Sequence, residues 1–423
     1  VACIGTLSFS KAMPIQRRVV YSMKARKLAG NLPITKDLKL LIIIGGLYSI
    51  SAALSNTFVN IYLWKQTGNF FDISIYNLTV VVFQPITFIL AGKMSKVMDR
   101  VIIFRIGVAF LTLFYSAVLF SGSRAADLIV LLGAIQGVGY GFYWLSYNVL
   151  TFEITEPENR DFFNGFLGII SSLGGMIGPF LAGFIITHTD GDIGYSIIFA
   201  ISLALFAIAV VLSFFISRRT AKGKYYFIRI LKELKNDRNW GSITAAHVFQ
   251  GLREGTFVFV VSLYVFIVTG SELALGTFGL LNAGVGMIAY YFAARLIKKH
   301  QRNRAILIGV LGLFFSVFLL VFDVTYTKLI IYGVSIALFY PILLVPYVSL
   351  TYDVIGRSWK AAEMRIEYIV IRDVFLNVGR IISVLIFLAG TFLFEIEAVM
   401  PYLLVLLGSG HLFIYFCIRR VTL

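Results

Sequence analysis

The chain has 423 residues, is 59% hydrophobic and carries charge on only 14% of its positions, where a soluble domain carries about 25%. That excludes a soluble enzyme or a soluble domain on a single anchor, and leaves a chain that crosses a bilayer many times. The net charge of +16 invites a nucleic-acid partner, but the basic residues sit in the short loops, where they report membrane topology instead.

In chain order, residues 1–37 form a basic tail with Lys11, Arg17, Arg18, Lys24, Arg26 and Lys27. The tail lacks the apolar core and small-residue cleavage site of a signal peptide and reads as a cytoplasmic segment suited to lying on anionic lipid. Apolar runs then predict spans at 38–63, 72–92, 102–121, 127–150, 164–187 and 195–217, a charged linker over 218–240, and six more spans at 241–268, 273–295, 304–322, 328–351, 367–394 and 398–418. Each is long enough to cross the hydrocarbon core as a helix. The predicted domains are therefore the tail, an N-terminal six-helix bundle over 38–217, a cytoplasmic linker, and a C-terminal bundle over 241–423. Cys3 and Cys417 lie at opposite ends, and His188, His247, His300 and His411 are scattered. No metal spacing or disulfide framework results, and no cofactor is expected.

An even number of spans puts both termini on one side. With the tail inside, 32 Lys and Arg fall on the cytoplasmic side, and only Lys65, Arg124 and Lys328 fall outside. The two halves also repeat weakly at an offset of 202–204 residues: Lys96, Arg100 and Gly107 match Lys298, Arg302 and Gly309, Gly175 matches Gly379, and Tyr143 matches Tyr347. Parallel repeats of this kind belong to transporters whose halves rock about a midplane site.

Four stretches carry a resemblance. The fifth span contains Gly174-Gly175-Met176-Ile177-Gly178-Pro179-Phe180-Leu181-Ala182-Gly183. Its glycines let a neighbouring backbone approach, and Pro179 removes a helix hydrogen bond and bends the helix. The loop after span two runs from Gly92 to Asp99-Arg100, with Lys96 inside it. Span four holds Gln136-Gly137-Val138-Gly139 with Gly133 ahead of it, and Glu156-Pro157-Glu158-Asn159-Arg160 follows it. Together they resemble the major facilitator superfamily, and Gly-x-x-x-Gly-Pro-x-x-x-Gly resembles the helix-5 motif of its antiporter branch. The departures are specific. Lys96 stands where the family's loop has aspartate and Val97 where it has arginine, while Gly133 replaces the arginine of the helix-4 motif. The resemblance implies that 156–160 caps helix 5, that Gly174, Gly178, Pro179 and Gly183 gate, and that Gly92, Asp99 and Arg100 act in the cytoplasmic loop. It also implies that helices 1, 4, 7 and 10 line a central cavity.

Polar stripes fall on those four spans. Gln136, Tyr140, Tyr143 and Tyr147 recur at i, i+4, i+7 and i+11, on one helical face. Asn56 and Asn60 mark span one, Tyr340 and Tyr347 mark span ten, and His247, Gln250 and Glu254 share a face of span seven. Any single tyrosine is more readily a packed or interfacial aromatic; the coincidence of four stripes points to a cavity. Three charges lie near mid-membrane: Arg253, Glu254 and Arg380. A charge there costs about 2.5–3.5 kcal/mol on insertion scales, so it faces protein or water and has a partner. Either a structural ion pair or a proton-carrying carboxylate satisfies that rule, with Arg380 the candidate cation for Glu254.

The expected function is secondary active transport of a small organic molecule, proton-coupled and of the efflux type, by a monomer in the plasma membrane that binds no nucleic acid. A lipid or glycolipid flippase, or a uniporter, is the alternative on the same fold. A receptor or a membrane enzyme is a weaker fit: no nucleophile motif or histidine cluster supports catalysis, and no Gly-Lys-Ser/Thr phosphate loop supports an ATP-driven pump.

Overall fold

Thr35 starts the first membrane helix by accepting a hydrogen bond from the Leu38 amide at 3.2 Å, and the same device recurs along the chain. Asn69, Asp99, Asp237, Ser271 and Thr325 each cap the helix that follows, satisfying amides a helix start leaves open. The computed structural model describes residues 35–154, 157–189, 192–218 and 223–421. The tail through residue 34 with Cys3, Glu156, linker residues 219–222, and the side chains of Glu158, Asn159 and Arg160 lie outside the described residues.

The helices are α1 Lys36–Thr67, α2 Phe70–Met94, α3 Arg100–Ser121, α4 Ile129–Ile154, α5 Pro157–Thr187, α6 Ile193–Ser213, α7 Arg238–Thr269, α8 Glu272–Leu296, α9 Arg302–Val317, α10 Tyr326–Arg357, α11 Arg365–Leu393 and α12 Ile396–Ile418, the last stepping at Ser409. All twelve segments are long and apolar enough to cross a membrane, α9 with its flanking turns. The chain is an all-α polytopic membrane protein of two six-helix bundles. Several helices overrun their apolar cores by a turn or more, because caps and charged ends extend them past the hydrocarbon. α6 stops four residues short of its predicted end, as the chain turns at Phe214.

The repeat is sharper in the backbone than in the sequence. α1 and α7 are each 32 residues long and α2 and α8 each 25, and every boundary is offset by 202. Thr67-Gly68-Asn69 and Thr269-Gly270-Ser271 turn the corner alike, with Gly68 at φ 68° and Gly270 at φ 61°. A side chain is strained in that left-handed region, so glycine ends both helices.

Within the first half α1 packs on α5 and α6, and α2 and α3 both pack on α4; within the second, α7 packs on α11 and α12, and α8 and α9 on α10. The halves meet chiefly through α2 on α11 and α5 on α8. The linker holds a short helix, Phe227–Asn236, that is not wholly solvated: Ile230 is buried, and Trp240 packs edge-on against Tyr368 of α11 at 4.9 Å.

Candidate functional site

In the second half, α7 and α11 touch backbone to backbone. A β-carbon on Gly251 would overlap the Leu376 carbonyl, and one on Gly379 would overlap the Val248 carbonyl, so only glycines permit this crossing. Glu254 and Arg380 flank the crossing, and the approach brings them together: Arg380 Nη2 donates to Glu254 Oε2 at 2.8 Å. Gln250 Nε2, one turn earlier on α7, and the Tyr340 hydroxyl from α10 both donate to Glu254 Oε1 at 2.8 Å. Three donors therefore converge on one carboxylate. Both partners of the ion pair keep some exposure, 25% for the Arg380 side chain and 17% for Glu254.

Arg253 points elsewhere, as the 100° step between helix neighbours requires. It is buried, donates to the Tyr332 hydroxyl at 3.2 Å and lies 4.7 Å over the Phe257 ring. His247 also sits apart from Glu254: its Nδ1 is 2.6 Å from the Tyr347 hydroxyl and 2.8 Å from the Ile243 carbonyl. His411 of α12, which belongs to none of the stripes, is fully buried with its ring stacked on Tyr340 at 6.2 Å.

The first half holds an uncharged counterpart. Asn56 is its hub: Oδ1 accepts from the Tyr115 hydroxyl at 2.7 Å and Nδ2 donates to the Tyr140 hydroxyl at 2.8 Å. Tyr140 also receives Gln136 Nε2 at 3.3 Å, and Gln136 Oε1 accepts from Tyr76 at 2.6 Å. Asn60 Oδ1 accepts from Asn77 at 2.8 Å. Tyr76, Asn77 and Tyr115 come from α2 and α3, outside the four stripes; lone polar residues in apolar runs were their only signal.

Three tyrosines expected on a cavity wall are instead packed inside their own half. Tyr143 stacks on Tyr48 at 4.2 Å and on Tyr147 at 5.5 Å, and both are buried. Tyr347 is fully buried against His247. Stacking among the rings draws these members of the stripe into the bundle.

The helix-5 motif faces both ways. Ideal β-carbons on Gly174 and Gly178 would lie 3.4 Å and 3.0 Å from Ile50 and Ala53 of α1. Pro179 packs against Gly276 and Gly279 of α8, and a β-carbon on Gly183 would overlap the Glu272 carbonyl. The motif is thus a seam between the halves.

An ion pair crosses between the halves at each end. Where the loops are basic, Lys96 Nζ meets Glu367 Oε1 of α11 at 3.1 Å and also donates to the Glu363 carbonyl at 3.2 Å. The Tyr226 amide donates to Glu367 Oε1, and the Gly223 amide to the Lys96 carbonyl, so the linker joins the knot. Gly92 makes room for Tyr225 and Val370; burial and the Glu367 charge push the Tyr225 hydroxyl above its ordinary range, so it stays neutral. Asp99 caps α3, and Arg100 pairs with Glu153 of α4. At the opposite end Lys65 of α1 meets Glu272 of α8 at 3.1 Å, and the Tyr195 hydroxyl donates to the same Oε1 at 2.9 Å. Among the described residues no three His, Cys, Asp or Glu side chains gather as a metal site.

The chain matches the Major Facilitator Superfamily over residues 41–384. It is 56% identical over 398 residues to the protein YqgE of Bacillus subtilis (strain 168), covering 94% of this chain and 93% of that one. A Geobacillus stearothermophilus protein from the sodM 3' region is 51% identical over 201 residues, 48% of this chain and 94% of its own. The fold is similar to the crystal structure of the human organic anion transporter MFSD10 (TETRAN), with a TM-score of 0.65 at 14% identity over 92% of this chain and 100% of that one. It is equally similar to a bacterial homologue of the iron transporter ferroportin in its outward-facing state, with a TM-score of 0.66 at 17% identity over 92% and 99% of the two chains.

Proposed function

This chain belongs to the major facilitator superfamily, and from that premise we propose that it is a proton-coupled secondary transporter that exports a small organic molecule. Glu254 is the observation that carries the proposal. It is the carboxylate of a mid-membrane cluster, paired with Arg380 yet not sealed from solvent. A proton arriving at Glu254 neutralises the carboxylate and dissolves its pairing with Arg380. When the proton leaves, the pair reforms. A cargo whose donor group needs the ionised Glu254 is therefore excluded by the proton, and mutual exclusion at one group is what exchange requires. The polar cluster around Asn56 and Tyr140 supplies uncharged hydrogen-bonding groups for the same cargo from the other half.

In this reading 38–217 and 241–423 move as the two bodies, 218–240 is their cytoplasmic linker, and α5 and α8 form the seam they rock on. On the same reading the membrane is the plasma membrane and both termini are cytoplasmic, an orientation that the bias of basic loops supports. Cysteines placed at His300 and Thr325 in a background lacking Cys3 and Cys417 test the orientation in intact cells: His300 should be shielded from an impermeant maleimide and Thr325 labelled.

Transport is tested in proteoliposomes with an imposed pH gradient, using ethidium as a lipophilic cation and anilinonaphthalene sulfonate as a lipophilic anion. Gradient-driven movement of a probe, abolished by a protonophore, is the expected result. Equilibration indifferent to the protonophore would make the protein a uniporter. Exchange of a fluorescent phospholipid between leaflets, with no probe movement, would make it a flippase.

A further inference from the structure

α8 and α9 are consecutive in the chain, and both pack on α10, yet they hardly touch each other. The wedge between them is a crevice of about 510 Å³ open on the outer surface of the second half, within the roughly 300–1,000 Å³ of ligand sites. Its hollow comes from small side chains, Ala289 and Ala293 on α8 and Ala305 on α9, and its floor is Leu338 and Ile342 of α10. The mouth is different in kind. It lies at the end where the loops are basic, and Arg304, on the first turn of α9, lines it.

The charges around that mouth are one-sided. No Asp or Glu occurs from 273 to 322, while Arg295, Lys298, Lys299, Arg302 and Arg304 all fall between 295 and 304. Arg302 is already engaged by Asp353 of α10 at 2.7 Å. Arg304 is exposed and has no carboxylate within ion-pair distance among the described residues. Arg295 lies over the Tyr291 ring at 4.4 Å, a contact that does not use its N–H donors. A guanidinium presents a planar fork that matches a phosphate.

We propose that this crevice binds one anionic phospholipid, with an acyl chain in the apolar wedge and its phosphate on Arg304. The two parts have different jobs. Bulk lipid is as apolar as the crevice walls, so filling the wedge selects for shape and gains little affinity. Selection by headgroup comes from Arg304, whose cation contributes about a fivefold preference for negative charge at the membrane surface. The occupant is thus a lipid with a net negative headgroup, drawn from the leaflet into which the basic loops project.

Phe292 lines the crevice and is exposed four residues before the end of α8, and Ile208 is exposed five residues before the end of α6 in the other half. Tryptophan at each, Phe292→Trp and Ile208→Trp, reports contact with brominated lipid by quenching beyond that of the parent protein. In vesicles, brominated phosphatidylglycerol should quench the Phe292→Trp reporter with about fivefold higher relative affinity than brominated phosphatidylcholine. Adding Arg304→Gln should bring that ratio close to one and leave the ratio at Ile208→Trp unchanged. Filling the hollow with Ala289→Phe should abolish the headgroup preference at the reporter. Equal quenching by the two lipids would overturn the proposal. So would a preference that survives Arg304→Gln, or one that Arg304→Gln lowers equally at both reporters, since either would be a general attraction of the basic surface.

Discussion

Lys96 reaches across from the α2–α3 loop to Glu367 of α11, and Glu367 is fully buried where the two halves meet. The family's loop carries aspartate where Lys96 stands, so the cation of this cross-half pair comes from the loop and the carboxylate from α11. A buried ion pair is costly to form, but breaking it by removing one partner costs more, about 3–5 kcal/mol, because the survivor is left unpaired.

The first expectation follows from that asymmetry. Lys96→Glu sets two carboxylates against each other and should loosen the seam between α2 and α11. A cysteine at Val370, buried in this seam, should then react with a maleimide at least tenfold faster than in the parent. Lys96→Glu combined with Glu367→Lys restores opposite charges and should slow labelling again. An unchanged rate in the single variant would mean that the pair does not hold the seam.

The pair at the other end should matter less. Lys65 is 39% exposed, so its attraction to Glu272 is screened, and exposed pairs contribute about 0–1 kcal/mol. Glu272→Gln keeps an acceptor for Tyr195 and should change labelling at a cysteine in place of Leu275, a buried residue one turn into α8, by less than threefold. A larger effect than that of Lys96→Glu would reverse the ranking of the two ends.

Between those ends, α5 and α8 approach too closely for added atoms. Gly183→Ala or Gly276→Ala puts a methyl group into a backbone carbonyl of the facing helix, which neither helix can relieve by a rotamer change. Each should keep the halves from closing at this end, lowering transport at least tenfold with the purified protein still folded. Gly178→Leu should act through α1, where the β-carbon has 3.0 Å of room. Gly175→Ala is the control, since its β-carbon would sit 3.6 Å from Ala283, an ordinary contact. Impaired transport in the control alone would refute the steric account.

The spans, their number and the repeat were legible because length and apolarity decide them, and bilayer thickness leaves little choice. The meeting of Glu254 with Arg380 was nearly so. Two opposite charges at mid-depth need partners, and Gly251 and Gly379 mark the crossing that brings them together. What the stripes could not tell was depth. Tyr143, Tyr147 and Tyr347 have the periodicity of a lining face, but periodicity does not distinguish a face turned to a cavity from one turned to neighbouring rings. Glu367 was hidden for another reason. It lies near a predicted helix end, where a carboxylate passes for a solvated one, and only the fold brings Lys96 to it from 271 residues away.

Glu254 and Arg380 admit a structural role and a coupling role, and one set of variants separates them. If the pair only holds α7 to α11, Glu254→Gln should destabilise the protein, because it leaves Arg380 without its anion. The cost should fall toward the low end of about 3–5 kcal/mol, since both side chains keep some exposure. Arg380→Ala added to Glu254→Gln should then recover much of that loss, and the departure from additivity measures the coupling. If Glu254 carries the proton, a different quantity changes. Glutamine still accepts from Gln250 or Tyr340 but cannot take up and release a proton, so exchange of probe between equal compartments should persist while accumulation against a pH gradient disappears. The two readouts are independent: thermal unfolding of purified protein for the first, gradient-driven flux over exchange flux for the second. A well-folded Glu254→Gln protein that still accumulates probe against the gradient would remove Glu254 as the proton carrier.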